Sequence, residues 1–555
     1  MTKQRKQELF IFLLLLGVTF LLWLPTLSFG FFSDDYHFLY ITSQQTSVWK
    51  YFLTNNVGEL SGGSYGPVLN VIFTLQYMLF EAEAFWYHVV SLLAYTGIAY
   101  TLYTLVKKIT RKNTLGFVSG FLFLLLQNHV EAISWVAVQP HVFASLFFVL
   151  GLYLYYQFTS TKNVWRYIVS LLFFSLSIFT KETAIMFPCV LILVELFFGD
   201  RGRFAPTVWR IVKRMIPVSL VFGLFLSLRY SIVGYVAGYY AQESLGFSLI
   251  PKIKMFVELT VSMFVSSPYR QIVSGWFFEH KTLLVLVIVG VFILTHYAHK
   301  NYRKVLWFLL SSYVVISIPF LSLVFNPSHD GGERYAFLLS FFGISYVATL
   351  IYALTKDRKA GNIIFLFCIT IFAFSSLSML NPKLNYWRVS AQTQNNIFED
   401  IRAYDYENTE FADYILFVGL PDNISGAELM RNAVKEAIYF ETDFGFISGE
   451  RIPVYTEFDT VELGQKSIDI EKSDDQYTYH ITPLKAGERA FTGFKEYSFN
   501  LGVVTLDNFI YEGHSGDRIT IVFEGDKLEE FQGMGYVPVI AYFDGKNMQF
   551  VPVNE

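Results

Sequence analysis

Two adjacent carboxylates, Asp34 and Asp35, stand in Phe32-Ser33-Asp34-Asp35-Tyr36-His37-Phe38, where the chain leaves its first apolar run. Paired acids at a bilayer surface cost desolvation energy and are kept there for proton transfer, cation binding or a charge partner. More polar residues gather at the ends of later apolar runs: Asn128-His129-Val130-Glu131 before Trp135, Gln139-Pro140-His141, Thr180-Lys181-Glu182-Thr183, Arg229-Tyr230 and Asp330-Gly331-Gly332-Glu333-Arg334-Tyr335. Carboxylates, histidines and cations converging on one membrane face suit a site that meets a lipid headgroup from the side and a water-borne substrate from above. There a carboxylate takes the proton of an attacking hydroxyl. Arg or Lys at headgroup level binds a lipid phosphate and stabilises it as the bond to its cargo breaks. Asp34, Asp35 and Glu131 are the acid candidates, Arg334, Lys181 and Arg229 the phosphate-binding ones, and His37, His129, His141, Glu182, Glu333 and Tyr335 complete the set.

Each candidate also has a plainer role. The Asp pair caps a helix start, Glu131 pairs with His129 or caps the next helix, and Lys181 and Glu182 form a local surface pair. Arg334 and Arg229 are snorkelling anchors, with Tyr335 in an aromatic belt. Asp34, Asp35 and Glu131 are also hard oxygen ligands suited to Mg²⁺, Mn²⁺ or Ca²⁺. Protein cations can stabilise a phosphate leaving group alone, so no metal or other cofactor is expected. Cys189 and Cys368 both lie in apolar runs, which gives neither a disulfide framework nor a zinc site.

The elements that must hold these residues are membrane helices. Of the 555 residues 53% are hydrophobic and 16% charged, and apolar runs follow one another from Leu9 to Leu380. This predicts a polytopic α-helical membrane protein. The run Leu9 to Leu27 is long for a signal-peptide core and lacks a small-residue cleavage site, so it reads as a retained signal anchor. Further spans are expected near 86–106, 114–127, 139–158, 166–180, 184–199, 212–233, 281–298, 305–325, 336–354 and 362–380, about eleven with the first. Basic clusters at Lys107-Lys108, Arg111-Lys112, Arg210, Lys213-Arg214, Lys300, Arg303-Lys304, Lys356 and Arg358-Lys359 fall on alternate loops. The N-terminus is therefore expected inside and the C-terminus outside, with the Asp pair in an outer loop, 30–85. Two segments are expected to lie at the outer interface: 249–265, which carries Lys252, Lys254 and Glu258, and 67–81, introduced by Gly62-Gly63 and Pro67.

Residues 1–380 thus form a transmembrane domain, and beyond it the composition changes. Residues 381–555 hold 30 of the 46 acidic groups against 14 Lys and Arg, near −16, while the first 380 residues are near +12. This predicts a separate soluble, strand-rich α/β domain or sandwich on the outer side, with alternating strands at 414–418, 518–523 and 537–543 and a helix at 427–439. No 34-residue repeat is visible.

The ordered motifs Ser33-Asp34-Asp35-Tyr36-His37-Phe38, Tyr87-His88-Val89-Val90-Ser91, His129-Val130-Glu131-Ala132-Ile133-Ser134-Trp135, Phe179-Thr180-Lys181-Glu182-Thr183 and Glu333-Arg334-Tyr335 resemble those of the GT-C glycosyltransferases. The nearest likeness is to protein O-mannosyltransferases and the transmembrane, TPR-containing O-mannosyltransferase family, over roughly residues 8–380. The resemblance implies a polyprenyl-phosphate sugar donor used with inversion, no metal, and a catalytic base in the acidic pair. Asp34 matches the first acid of the family's Asp-Glu-x-His-Phe motif and Asp35 replaces the Glu, so Asp34 is implied as base and Asp35 as its orienting or acceptor-binding partner. Two departures stand out: His141 occupies a position where an Asp often follows the Trp motif, and the tail lacks tetratricopeptide repeats. The mannose donor and the eukaryotic acceptor class are therefore not carried over. Val418-Gly419-Leu420-Pro421-Asp422-Asn423 resembles the opening of the outer domain in bacterial relatives, which implies a bacterial inner-membrane protein with its site facing the periplasm.

The expected activity is sugar transfer to a hydroxyl of a protein, glycolipid or glycan acceptor, with the bilayer as surroundings and no nucleic-acid partner. A lipid-linked-sugar flippase or polysaccharide export or polymerisation protein is the alternative. It would line a path through the bilayer with its polar residues. A sensor or assembly protein would tolerate Asp34→Asn.

Overall fold

The computed structural model describes residues 3–45, 47–54, 65–200, 204–236, 249–267, 269–323, 329–407, 414–442, 449–451, 455–458, 468–473, 476–481, 488–491, 496–507, 518–534 and 537–553. The expected turn at Gly62-Gly63 lies outside them. The chain divides into two compact units, Met1–Ser28 with Ile41–Leu384, and Phe29–Tyr40 with Asn385–Glu555.

The first unit is helical. Among the described residues six helices are long and apolar enough to cross a membrane, and up to eight if each bent pair is one span. The chain thus has the apolar helices of an integral membrane protein. The six are Ala84–Thr110, Val136–Thr161, Ala205–Val233, Lys300–Phe320, Glu333–Thr355 and Gly361–Tyr404; the bent pairs are Asn113–Leu125 with Gln127–Ser134 and Tyr269–Glu279 with Lys281–Tyr297. Lys3–Leu22 carries Lys3, Arg5, Lys6 and Glu8 in its first two turns, so its uncharged stretch is short. Phe187–Phe198 has 12 residues, about 18 Å of helix against a hydrocarbon core of about 30 Å. The segments expected at the interface form Pro67–Phe80 and Leu249–Ser262, 14 residues each.

Close helix packing follows from two small residues four apart. A Cβ at Gly116 would meet the Tyr103 carbonyl oxygen at 2.5 Å and one at Gly120 the Ala99 oxygen at 2.7 Å. Helix Asn113–Leu125 therefore lies against the backbone of Ala84–Thr110, the small-xxx-small arrangement of membrane helices.

The polar motifs sit where helices break. Short 3₁₀ turns at Gln127–His129, Val136–Val138, Glu182–Met186 and Glu333–Ala336 precede or flank longer helices. Pro140 and Pro188 occupy the first turns of Gln139–Thr161 and Phe187–Phe198, where a missing N–H costs no helix bond. Gly332, at φ 92°, turns the chain into Glu333–Ala336, a conformation glycine adopts without strain.

Among its described residues the second unit carries three sheets. One runs in the order Met548–Pro552, Pro538–Phe543, Tyr414–Val418, Gly449–Arg451, with Tyr414–Val418 parallel to both neighbours. A five-stranded antiparallel sheet joins Ile468–Ser473, Gln476–Ile481, Arg518–Phe523, Gly502–Asp507 and Glu496–Phe499. The third joins Ala427–Glu428, Pro421–Ile424, Tyr455–Phe458 and Glu488–Phe491. Leu416, Val418 and Ile540 from the first sheet pack with Val504, Ile521 and Phe523 from the second in one apolar core, with Leu528 of helix Gly525–Gly533. Tyr414–Val418 was expected to alternate, yet all five residues are buried, as in a central parallel strand covered on both faces. The helix expected at 427–439 starts at Val434. Residues 421–428 instead form a tight hairpin in which Asn423 pairs with Glu428 and Ile424 with Ala427.

Candidate functional site

In the second unit the Asp pair opens helix Asp34–Gln44, and its two carboxylates have different surroundings. Asp35 is fully buried, and its Oδ2 accepts from the Phe32 backbone N–H at 2.8 Å. That bond closes the turn ahead of the helix, in the manner of the backward half of a capping box. Asp34 is partly exposed, and its Oδ1 accepts from Asn432 Nδ2 at 2.8 Å. The Asn432 backbone N–H donates to Ser33 Oγ at 3.0 Å, and Ser33 N–H donates to the Leu429 carbonyl at 3.0 Å.

Other bonds hold the same segment. Gln394 Nε2 donates to the Phe31 carbonyl at 2.5 Å and to Tyr36 Oη at 3.1 Å, and Trp387 meets Phe32 edge to face. Tyr36 Oη donates to Glu441 at 2.8 Å; burial, reinforced by that carboxylate, pushes the phenol well above its ordinary range. His37 Nδ1 lies 3.4 Å from Glu436. Burial raises the Glu436 carboxyl, but the His37 contact and a backbone N–H outweigh it and hold the group below its usual value.

In the first unit Glu131 and Arg334 form the centre of the candidate site. The buried Glu131 carboxylate accepts the backbone N–H groups of Gly332, at 3.1 and 3.2 Å, and of Arg334, at 2.8 Å, and pairs with the Arg334 guanidinium. It has no bond to His129. A carboxylate taking three protein donors works as an anchor: it sets the 332–334 backbone and the Arg334 side chain together. The guanidinium lies over Trp135 at 5.4 Å and Tyr335 at 5.1 Å from the ring centres, within cation–π range. Trp135 and Tyr335, the latter read from sequence as a belt residue or a site candidate, therefore shape the cation's seat. His141 meets Tyr335 edge to face at 5.8 Å and feels the charges of both Lys181 and Arg334. Lys181, His141, Arg334 and Tyr335 thus share one neighbourhood, a cationic seat for an anionic group.

The other candidates have partners of their own. Arg229, fully buried, donates from Nε to the Val236 carbonyl at 3.1 Å and lies 3.8 Å from Glu182. His129 is packed between Phe123 and Phe337, each ring 4.6 Å away, with Nδ1 2.7 Å from Tyr95 Oη. That is a core histidine bonded at one ring nitrogen, with Nε2 buried and without a hydrogen-bond partner among the described residues. Glu333 belongs to a buried network with two cations that the sequence reading passed over. Arg270 Nη1 donates to it at 3.1 Å and Lys383 Nζ at 2.5 Å. Lys383 also lies 3.2 Å from Asp330, whose other oxygen accepts from Ser267 N–H at 2.7 Å. The segment 329–336 is thus held by Glu131 and by Arg270 with Lys383. A lone lysine beside Pro382 at the end of an apolar run was the available signal for Lys383; Arg270, in the first turn of a short helix, had none. Among the described residues no group of three or more His, Cys, Asp or Glu is placed to hold a metal ion.

No family model matches the chain. Over 152 residues, 26% of its length, it is 28% identical to protein O-mannosyl-transferase tmtc2 of Xenopus laevis, and over 145 residues, 24% of its length, 27% identical to protein O-mannosyl-transferase TMTC1 of Homo sapiens. The chain is similar to protein O-mannosyl-transferases. These matches span 18% and 16% of the curated relatives' own length. They support the resemblance to GT-C membrane glycosyltransferases drawn from the motifs. Among solved structures, an Archaeoglobus fulgidus oligosaccharyltransferase aligns at TM-score 0.38 with 11% identity, covering 73% of this chain and 60% of that one. Arabinofuranosyltransferase AftD from Mycobacteria aligns at 0.44 with 11% identity, covering 97% and 43%.

Proposed function

We propose that this chain is an integral-membrane inverting glycosyltransferase that moves a sugar from a polyprenyl-phosphate donor to an acceptor hydroxyl. Asp34 takes the hydroxyl proton, and the freed oxygen attacks the anomeric carbon. The bond from that carbon to the phosphate oxygen breaks, its electron pair leaves with the lipid phosphate, and inversion follows from attack opposite the leaving group. Arg334, with Lys181 or Arg229, binds the phosphate as its charge develops. The observation that carries the reading is the Arg334 guanidinium, oriented by Glu131 and seated on Trp135 and Tyr335. The acceptor hydroxyl belongs to a protein, a glycolipid or a glycan. In this reading about eleven segments cross or enter a bacterial inner membrane, the N-terminus is inside, and residues 381–555 face the periplasm and present the acceptor. No metal takes part; the protein's own cations do that work.

The test is sugar transfer from a panel of radiolabelled polyprenyl-phosphate sugars by the purified protein in lipid, with wild type compared with Asp34→Asn at matched folding. Loss of turnover with donor binding kept is expected. Equal turnover in both proteins would overturn the assignment of the base.

A further inference from the structure

We infer that Asn432 is the positioning residue of Asp34, and that the segment Leu429–Ala433 exists in this form to aim that carboxylate. The inference rests on the reading of Asp34 as the base. Asn432 reaches the Asp segment twice, by its side-chain amide to Asp34 Oδ1 at 2.8 Å and by its backbone N–H to Ser33 Oγ at 3.0 Å, while Ser33 N–H bonds back to Leu429 at 3.0 Å. Three hydrogen bonds thus join two short segments about 400 residues apart in sequence.

Backbone conformation on both sides of this contact points the same way. Ser33, just before Asp34, has φ 45°, and Ala433, just after Asn432, has φ 56°. L residues hold such angles only where their surroundings over-determine them, and such strain gathers at functional positions. Neither position carries the glycine that would adopt these angles at no cost. Asp35, the adjacent acid, faces the Phe32 N–H and completes the turn, so the two carboxylates divide between capping and chemistry. An amide NH₂ can only donate. Bound to Oδ1, it fixes the rotamer of Asp34 and directs Oδ2 to the incoming hydroxyl, without competing for the proton that Oδ2 takes.

The experiment uses the full chain in lipid nanodiscs and two variants, Asn432→Ala and the near-isosteric Asn432→Asp, which exchanges the donor for a like charge. Carboxyl labelling with a water-soluble carbodiimide and an amine is read by mass spectrometry at Asp34, with exposed Asp200 as internal control. The expected result is labelling of Asp34 faster by about fivefold in Asn432→Ala, the factor that one hydrogen bond of ordinary net worth sets, with Asp200 unchanged. Unchanged Asp34 labelling in both variants would overturn the inference. Turnover supplies the second readout: kcat falls in both variants while KM for the donor holds. Full kcat in Asn432→Asp, with Asp34→Asn inactive, would remove Asn432 and leave the base in place. Turnover retained in Asp34→Asn would remove the base, while labelling would still report on the contact.

Discussion

Arg334 is held for its shape as well as its charge. Glu131 pairs with it from one side, and Trp135 and Tyr335 offer ring faces at 5.4 and 5.1 Å. A planar, delocalised guanidinium stacks and forks in ways an ammonium cannot. Arg334→Lys is therefore expected to lower kcat/KM by about 10- to 100-fold, equivalent to roughly 1.4–2.8 kcal/mol, despite the retained charge. Initial rates at several donor concentrations check this, and a lysine variant with full kcat/KM would remove the phosphate role. The His37–Glu436 pair makes a different kind of prediction. Since the folded protein holds the Glu436 carboxyl below its ordinary value of 4.5, its contribution to stability is complete above that value. It is lost as pH falls through the depressed one. Thermal unfolding midpoints of wild type and His37→Ala should differ near neutral pH and converge towards pH 3; a constant difference would mean that His37 acts by packing alone. The charged and polar types at these positions were legible in the sequence, but their partners were not. Glu131 and Arg334 are 203 residues apart, and no local pattern predicts that a candidate acid is spent on anchoring a candidate cation.

The segment 329–336 is the element on which the candidate chemistry depends, because it carries Arg334 and is fixed at both ends of its turn. Lys383 and Arg270 bury their charges against Glu333 and Asp330. Removing one member of such a network strands the remaining charge, at about 3–5 kcal/mol. Lys383→Met is expected to destabilise the protein by that amount, and Lys383→Met with Glu333→Gln by less, because the stranded charge is removed as well. Unfolding in lipid or detergent measures both, and a double variant as unstable as the single would mean that Lys383 acts by other contacts. Helix packing has its own test. Gly120→Val must push its side chain into the Ala99 carbonyl, 2.7 Å from where Cβ would stand, and overpacking of this kind costs about 1–3 kcal/mol. Long apolar helices are written directly in composition, which is why Ala84–Thr110 and Glu333–Thr355 coincide with expected spans. Short broken pieces are not: 127–138, read from sequence only as polar residues between two spans, forms short helical turns in which Gln127 and Asn128 bond to other helices, and the axis bends by 57° between Asn113–Leu125 and Gln127–Ser134.

At the scale of the whole chain, sequence order and spatial grouping part company. The change in composition after Leu380 is plain, yet the compact unit that contains 385–555 also takes in Phe29–Tyr40. Nothing local in 29–40 announces this. Its apolar positions fit an interfacial helix equally well, and the deciding bonds reach to Leu429, Asn432, Glu436 and Glu441, near 400 residues away. Long closures of this kind are cheap per added residue but invisible to any short window. The grouping has a measurable consequence. A chain ending at Leu384 keeps the apolar helices but loses every one of those partners, together with Gln394 and Trp387. Amide exchange at residues 33–40 should be slow in the full chain and fast in the truncated one, whereas exchange in Ala84–Thr110 should be equal in both. Transfer should vanish along with the protection, since the carboxylate assigned as base would then sit on an unsupported turn. If residues 33–40 stayed protected in the truncated chain, helix Asp34–Gln44 would be held by its own neighbours, and the C-terminal residues would have no part in shaping the candidate base.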